Sequence, residues 1–126
     1  MNTQRNLIGL FIFILSACSA QSGDVISVKE FKSKLSQSST LLDVRTPDEF
    51  NEGHLEKAIN INIKSDQFES QCEKLEKTKP VLVYCHSGAR SHRAAEMLRK
   101  KGYKVLELDG GIEAWKEKGM PVVKGK

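Results

Sequence analysis

Apolar residues recur along the chain in two alternating rhythms, short extended runs and longer segments with helical spacing. Val25-Ile26 is a brief extended stretch. Ser27 follows with Glu30 three residues on, a capping-box pattern, and Val28, Phe31 and Leu35 form one helical stripe. After the polar break Ser36 to Ser39, Thr40 to Val44 reads as a strand. Thr46-Pro47-Asp48-Glu49 opens a second helix with a cap, a proline and an acidic first turn, and Gly53 is placed to end it. Ala58 to Ile63 alternates apolar and polar, the period of a strand. Ser65 is expected to start a helix with Phe68, Cys72 and Leu75 on one face, broken at Lys77 to Pro80. Val81 to Tyr84 is the clearest buried strand. Beyond a tight polar turn, Ser91, Ala94, Ala95 and Leu98 fall on one helical face, with Gly102 as its C-cap. Val105 to Leu108 is the last strand. Asp109-Gly110-Gly111 then leads to a short helix carrying Ile112 and Trp115, closed by Gly119 and Pro121.

Roughly five strands therefore alternate with helices. That order predicts an α/β fold with a mainly parallel sheet and helices on both faces. In such sheets sites lie at the carboxyl ends of strands, and Cys85 directly follows one.

Composition narrows the chemistry. A chain of 126 residues suits one domain. The net charge of +4 is spread among acids rather than gathered in a stripe, which argues against nucleic acid as a partner. The three cysteines have neither zinc-site nor disulfide-framework spacing, and no CxxC pair exists, so no metal or other cofactor is expected.

Met1 to Ala20 differs from the rest. Arg5 is its one charge, Leu7 to Leu15 is apolar throughout, and small residues follow. This is the order of a secretory signal, and the apolar run is short against the roughly 20 residues of a spanning helix. Leu15-Ser16-Ala17-Cys18 resembles the lipobox of bacterial lipoproteins. That resemblance implies residues 1–17 as signal peptide, lipidation of Cys18, residues 18–24 as a tether, and an exported protein held at the periplasmic or cell-envelope face of a membrane. Ser19 in the next position favours the outer membrane in a two-membrane cell. Plain cleavage after Ala20 and an uncleaved anchor are the alternatives.

Cys85-His86-Ser87-Gly88-Ala89-Arg90-Ser91 joins the buried strand to the following helix. Backbone N–H groups and the helix dipole there favour a thiolate. Taken alone, this loop leaves redox, phosphatase and sulfur chemistry open, although the missing CxxC weakens the first.

Three stretches together resemble a single-domain rhodanese, a sulfurtransferase. The first is Leu42-Asp43-Val44-Arg45-Thr46-Pro47-Asp48-Glu49-Phe50 with Gly53-His54-Leu55 and Ala58-Ile59-Asn60; the second is the Cys85 to Ser91 loop; the third is Asp109-Gly110-Gly111 with Trp115, Gly119 and Pro121. They cover most of the chain after residue 24 and imply a three-layer rhodanese-like domain over residues 25–124. The resemblance implies Cys85 as the persulfide-forming nucleophile, and His86, Ser87, Gly88, Ala89, Arg90 and Ser91 as the substrate-binding loop. In that role Gly88 bends the backbone, Ser87 and Ser91 donate hydrogen bonds, and Arg90 faces an anionic donor. Related phosphatases place one residue more between cysteine and arginine, so the four here favour sulfur over phosphate. The implied substrates are thiosulfate or a similar small anionic donor and a thiol or cyanide acceptor, with a non-catalytic binding or sulfur-carrier module as the alternative.

The family often has glycine where Lys57 stands and proline where Asn62 stands. Many members with thiosulfate activity have arginine or lysine where His86 stands, so His86 either tunes donor preference or is a plain surface residue. Asp43, Arg45 and His54 are read as scaffold, His92 as exposed and without a role. Cys72 is read as core, with a resolving thiol for Cys85 as the minority alternative.

Overall fold

The computed structural model describes residues 24–126, so the signal segment, Cys18 and nearly all of the tether lie outside it. Ten elements alternate along the chain: β1 (Val25–Ile26), α1 (Val28–Lys34), β2 (Thr40–Asp43), α2 (Pro47–Glu52), β3 (Ile59–Asn60), α3 (Phe68–Cys72), β4 (Val81–Tyr84), α4 (Ala89–Lys100), β5 (Val105–Leu108) and α5 (Gly111–Glu117). The five strands form one sheet in the order β1-β5-β4-β2-β3. Every pairing is parallel, so the sheet is wholly rather than mainly parallel.

The apolar run of β4 supplies both faces of the sheet. Val81, Val83 and Cys85 enter one buried cluster with Phe68, Cys72, Ala94, Ala95 and Leu98, beneath α3 and α4. Leu82 and Tyr84 enter the other with Val28, Phe31, Ile112 and Trp115, beneath α1 and α5. A parallel strand covered on both sides has no reason to alternate apolar with polar.

The helix signals act as expected at several ends. Ser27 Oγ accepts from the Glu30 N–H at 3.2 Å. Thr46 and Glu49 form a full capping box. Gly102, at φ +93°, lets α4 close with Gly102 N–H on Arg99 O and Tyr103 N–H on Leu98 O.

Three expectations are corrected. Ser65 does not begin a helix; its Oγ accepts from the Gln67 N–H at 3.1 Å in a turn, and α3 begins at Phe68. The alternation Ala58 to Ile63 yields only a two-residue strand, Ile59–Asn60. At that sheet edge Ile59 is exposed, while Ile61 and Ile63 stay buried and donate to Asp43 O and Val44 O at 3.0 and 3.1 Å. His92, read as without a role, sets Nδ1 2.9 Å from the carboxylate of buried Glu107 on β5. Arg99 Nη2 meets the same carboxylate at 3.0 Å. A buried charge needs such partners, and the Glu107 hydrogen bond raises the His92 pKa.

Lys57, where the family has glycine, lies at φ +70°, the one non-glycine at positive φ among the described residues. The left-handed backbone, which costs a side chain about 1–2 kcal/mol, accounts for the glycine preference there.

A buried ion pair braces the carboxyl end of β2. Arg45 Nη2 lies 2.7 Å from Asp43 Oδ2 and donates to Gly53 O at 2.7 Å, while Nε reaches Asp43 Oδ1 at 3.0 Å. The guanidinium sits 5.6 Å from the Tyr84 ring centre, and the Tyr84 hydroxyl accepts from Leu55 N–H at 3.1 Å. Removing one partner leaves the other buried without a counter-charge, a loss of about 3–5 kcal/mol. We expect Arg45→Ala to lose about that much in urea denaturation, and Arg45→Lys to recover only part, because lysine lacks the planar fork.

Candidate active site

The site forms where the chain's connections part company. The chain leaves β2 toward β3 at one edge and leaves β4 toward β5 on the other side. Such a switch point opens a crevice beyond the carboxyl ends of the two strands. Two loops line it, one from β2 into α2 and one from β4 into α4.

The second loop contains the expected residues. Cys85 directly follows β4 and is 1% exposed. The Gly88 N–H donates to Cys85 Sγ at 3.1 Å. Gly88 has φ +128°, a conformation open to glycine, and its bend aims that N–H back at the sulfur. Ser91 is buried and donates to Gly88 O at 3.1 Å, so its hydroxyl holds the bend rather than serving the sulfur directly. His86, Ser87 and Ala89 are exposed at the mouth.

α5 holds the loop from the far side. Ile112 N–H donates to Cys85 O at 2.9 Å and Glu113 N–H to His86 O at 3.2 Å. This approach requires Gly111. A Cβ there would stand 2.4 Å from His86 O and 2.7 Å from Cys85 O, and the residue lies at φ +61°. The Asp109-Gly110-Gly111 signature thus has a steric cause in the active loop. Trp115 anchors the same helix, with Nε1 donating to Pro121 O at 2.9 Å and its ring edge-on to Phe31.

Arg90 reaches the crevice but not as a free cation. Its Nη1 and Nη2 grip Glu49 Oε1 and Oε2 at 2.7 and 2.8 Å. Glu49 is the capping-box residue of α2, so one carboxylate closes a helix end and clamps the loop arginine. The sequence marks Glu49 as an acidic first-turn residue within the first resembling stretch, with no role at the cysteine loop. Its link to Arg90 spans 41 positions and has no local signal. The Arg90 hydrogen bonds hold the Glu49 carboxyl down to about 2.

The remaining candidates fall outside the crevice. His54 is buried, stacks on Phe50 with ring centres 3.6 Å apart, and places Nδ1 2.8 Å from Phe50 O, a structural position. Cys72 is buried in the core, and desolvation pushes its thiol up to about 11, so it is a poor nucleophile. Cys72 and Cys85 are both free thiols. A cavity of about 640 Å³ opens between α1 and α5 over Leu35, Leu41, Leu55 and Trp115, and no residue of the Cys85 to Ser91 loop lines it.

Fold and crevice define an α/β protein built around a cysteine loop at the centre of a parallel sheet. The rhodanese-like domain family matches residues 27–118, and the chain belongs to that family. A sulfurtransferase of Allochromatium vinosum is 38% identical over 84 residues, 66% of this chain and 77% of that protein. Thiosulfate sulfurtransferase GlpE of Coxiella burnetii is 39% identical over 77 residues, 60% of this chain and 70% of its own. The crystal structure of a rhodanese-related protein from Thermoplasma volcanium superposes with a TM-score of 0.72 at 34% identity, covering 79% of this chain and 96% of that one.

The Glu49–Arg90 clamp should be visible in acid. As pH falls, the unfolded carboxyl takes its proton near the ordinary 4.5, whereas the folded one holds out to about 2. The clamp's contribution is therefore complete above about 4.5 and is lost as pH falls toward about 2. Denaturant titrations across that window should show a steeper loss for the wild type than for Glu49→Gln; parallel curves would remove the clamp from the stability balance.

Proposed function

We propose that this protein is a sulfurtransferase that takes a sulfane sulfur from thiosulfate or a similar small anionic donor onto Cys85 and passes it to cyanide or a thiol. The carrying observation is the Gly88 N–H on Cys85 Sγ at 3.1 Å, in a loop pinned by α5 and closed by Ser91. A donor aimed at the sulfur favours its anionic form, the nucleophile that the first step needs. The names of the Allochromatium and Coxiella relatives support the same reaction class.

The chemistry needs no oxidant. The Cys85 thiolate attacks the outer sulfur of thiosulfate, the Sγ–S bond forms, and sulfite leaves with the electron pair of the broken S–S bond. An acceptor nucleophile then takes the outer sulfur, and the pair of the Sγ–S bond returns to Cys85 as thiolate. Sγ itself is almost fully covered. The transferred sulfur, one bond further out, is the atom an acceptor meets.

Membrane location rests on the sequence of residues 1–20 alone. We place the protein in the cell envelope of its source, anchored by lipid on Cys18, where several acyl chains give stable attachment and one would be marginal.

Two experiments test these statements. Thiosulfate should add the mass of one sulfur atom to the intact protein, and Cys85→Ser should lose both the gain and the transfer to cyanide. Absence of the gain with every sulfane donor tried would overturn the reaction. Separately, the full chain should fractionate with membranes and Cys18→Ala should not; a variant that stays in the membrane fraction rejects the lipid anchor.

A further inference from the structure

We propose that the cavity between α1 and α5 is a second binding site, for a small amphiphilic anion: an apolar chain ending in one carboxylate, held head-out between Lys32 and Lys57. The site is separate from the cysteine loop and does not rest on the reaction at Cys85.

The cavity holds about 640 Å³, within the roughly 300–1,000 Å³ of small-ligand sites. Its floor is apolar, made by Leu35, Leu41, Leu55, Trp115 and Met120. The lining comes from α1 and the turn after it, from β2, from the turn before β3, and from α5 with the chain beyond it. A basin ringed by separate segments suits a compact ligand better than a helix running through a groove.

The rim is charged, and its charges are unmatched. Lys32, Glu56 and Lys57 line it and are exposed. The lysines that form ion pairs among the described residues are Lys79 and Lys101, with Glu76 and Glu69. Two lysines and one glutamate leave the rim one net positive charge. A single carboxylate balances it, whereas a phosphate monoester, nearly doubly charged, overshoots it. The serine hydroxyls of the lining are spent inside their own turn. Ser39 Oγ accepts from Ser36 N–H, and Ser36 Oγ accepts from Ser38 N–H, each at 3.1 Å.

Lys57 carries the second, independent sign of a ligand. It is the third residue of the turn Leu55 to Ala58, closed by Ala58 N–H on Leu55 O at 3.1 Å. At φ +70° that position suits glycine, and a side chain there is strained. The turn is also fixed from below, because buried Leu55 donates its N–H to the Tyr84 hydroxyl at 3.1 Å. A strained residue held rigidly on a cavity wall points to a use for its side chain. Here that use is an ammonium group presented over an apolar floor.

The test follows Trp115, the chain's one tryptophan and part of the cavity lining. Decanoate, kept below its micelle concentration, is titrated into the full protein while tryptophan emission is recorded. Saturable binding is expected, tighter than that of uncharged 1-decanol, with the difference shrinking as salt rises. Lys57→Gly and Lys32→Gln should each weaken decanoate about two- to five-fold, the range for an exposed charge pair, and leave decanol unchanged. Glu56→Gln should tighten decanoate by a similar factor. Glycine adopts the turn's backbone freely, so Lys57→Gly stays folded, which a urea titration checks. Cys85→Ser should bind decanoate as the wild type does, because no residue of the Cys85 to Ser91 loop lines the cavity. An emission that does not saturate, or decanoate affinities that ignore all three charge variants, overturns the proposal. Loss of binding in Cys85→Ser overturns it too, by placing the probe at the cysteine loop.

Discussion

The active loop depends on the seat that α5 provides. Two carbonyls, of Cys85 and His86, accept the N–H groups of Ile112 and Glu113. Unmade, those bonds would leave polar backbone next to a buried core, at about 1–3 kcal/mol for each group. The seat requires a left-handed glycine at 111, because any Cβ would strike both carbonyls. It also requires α5 to stay down, which Trp115 secures by filling the core under α1 and by bonding Pro121 O. A signature that looks like a separate C-terminal motif is therefore the lower half of the active loop.

A second set of contacts closes the crevice from the opposite side. Asp43 and Arg45 brace the end of β2, Arg45 reaches Gly53 beyond α2, and Glu49 in α2 grips Arg90. Both ion pairs in this set, Asp43 with Arg45 and Glu49 with Arg90, match each charge with an opposite one. The buried ones could not stand otherwise, because desolvation of an unpaired ion costs several kcal/mol. The consequence is a mouth whose arginine is held in place and electrically matched.

Much of this was legible in the residue order. The βα rhythm, the clear buried strand Val81 to Tyr84, both helix caps and the cysteine loop all depend on neighbours within a few positions. Where periodicity misled, the sheet edge was responsible. Ala58 to Ile63 carries a strand's alternation, but β3 pairs on one side only, so the ladder covers two residues and Ile59 faces solvent. Ser65 has a cap's chemistry, yet its hydroxyl serves a turn before α3. His92 shows nothing in its own helix that reveals a buried carboxylate on β5.

The sequence by itself determined the class of fold, the position of the nucleophile after a buried strand and the membership in a family, because each rests on local pattern and short motif. Only the tertiary structure decided the partners. Glu49 with Arg90, His86 with Glu113, Glu107 with His92 and Gly111 with the loop carbonyls join segments distant in the chain. Such pairs leave no periodicity and no spacing to read, since they follow from which strand lies beside which in the sheet. The Cys85 loop is thus local in sequence, while its matched arginine and its pinned bend are properties of the assembled crevice.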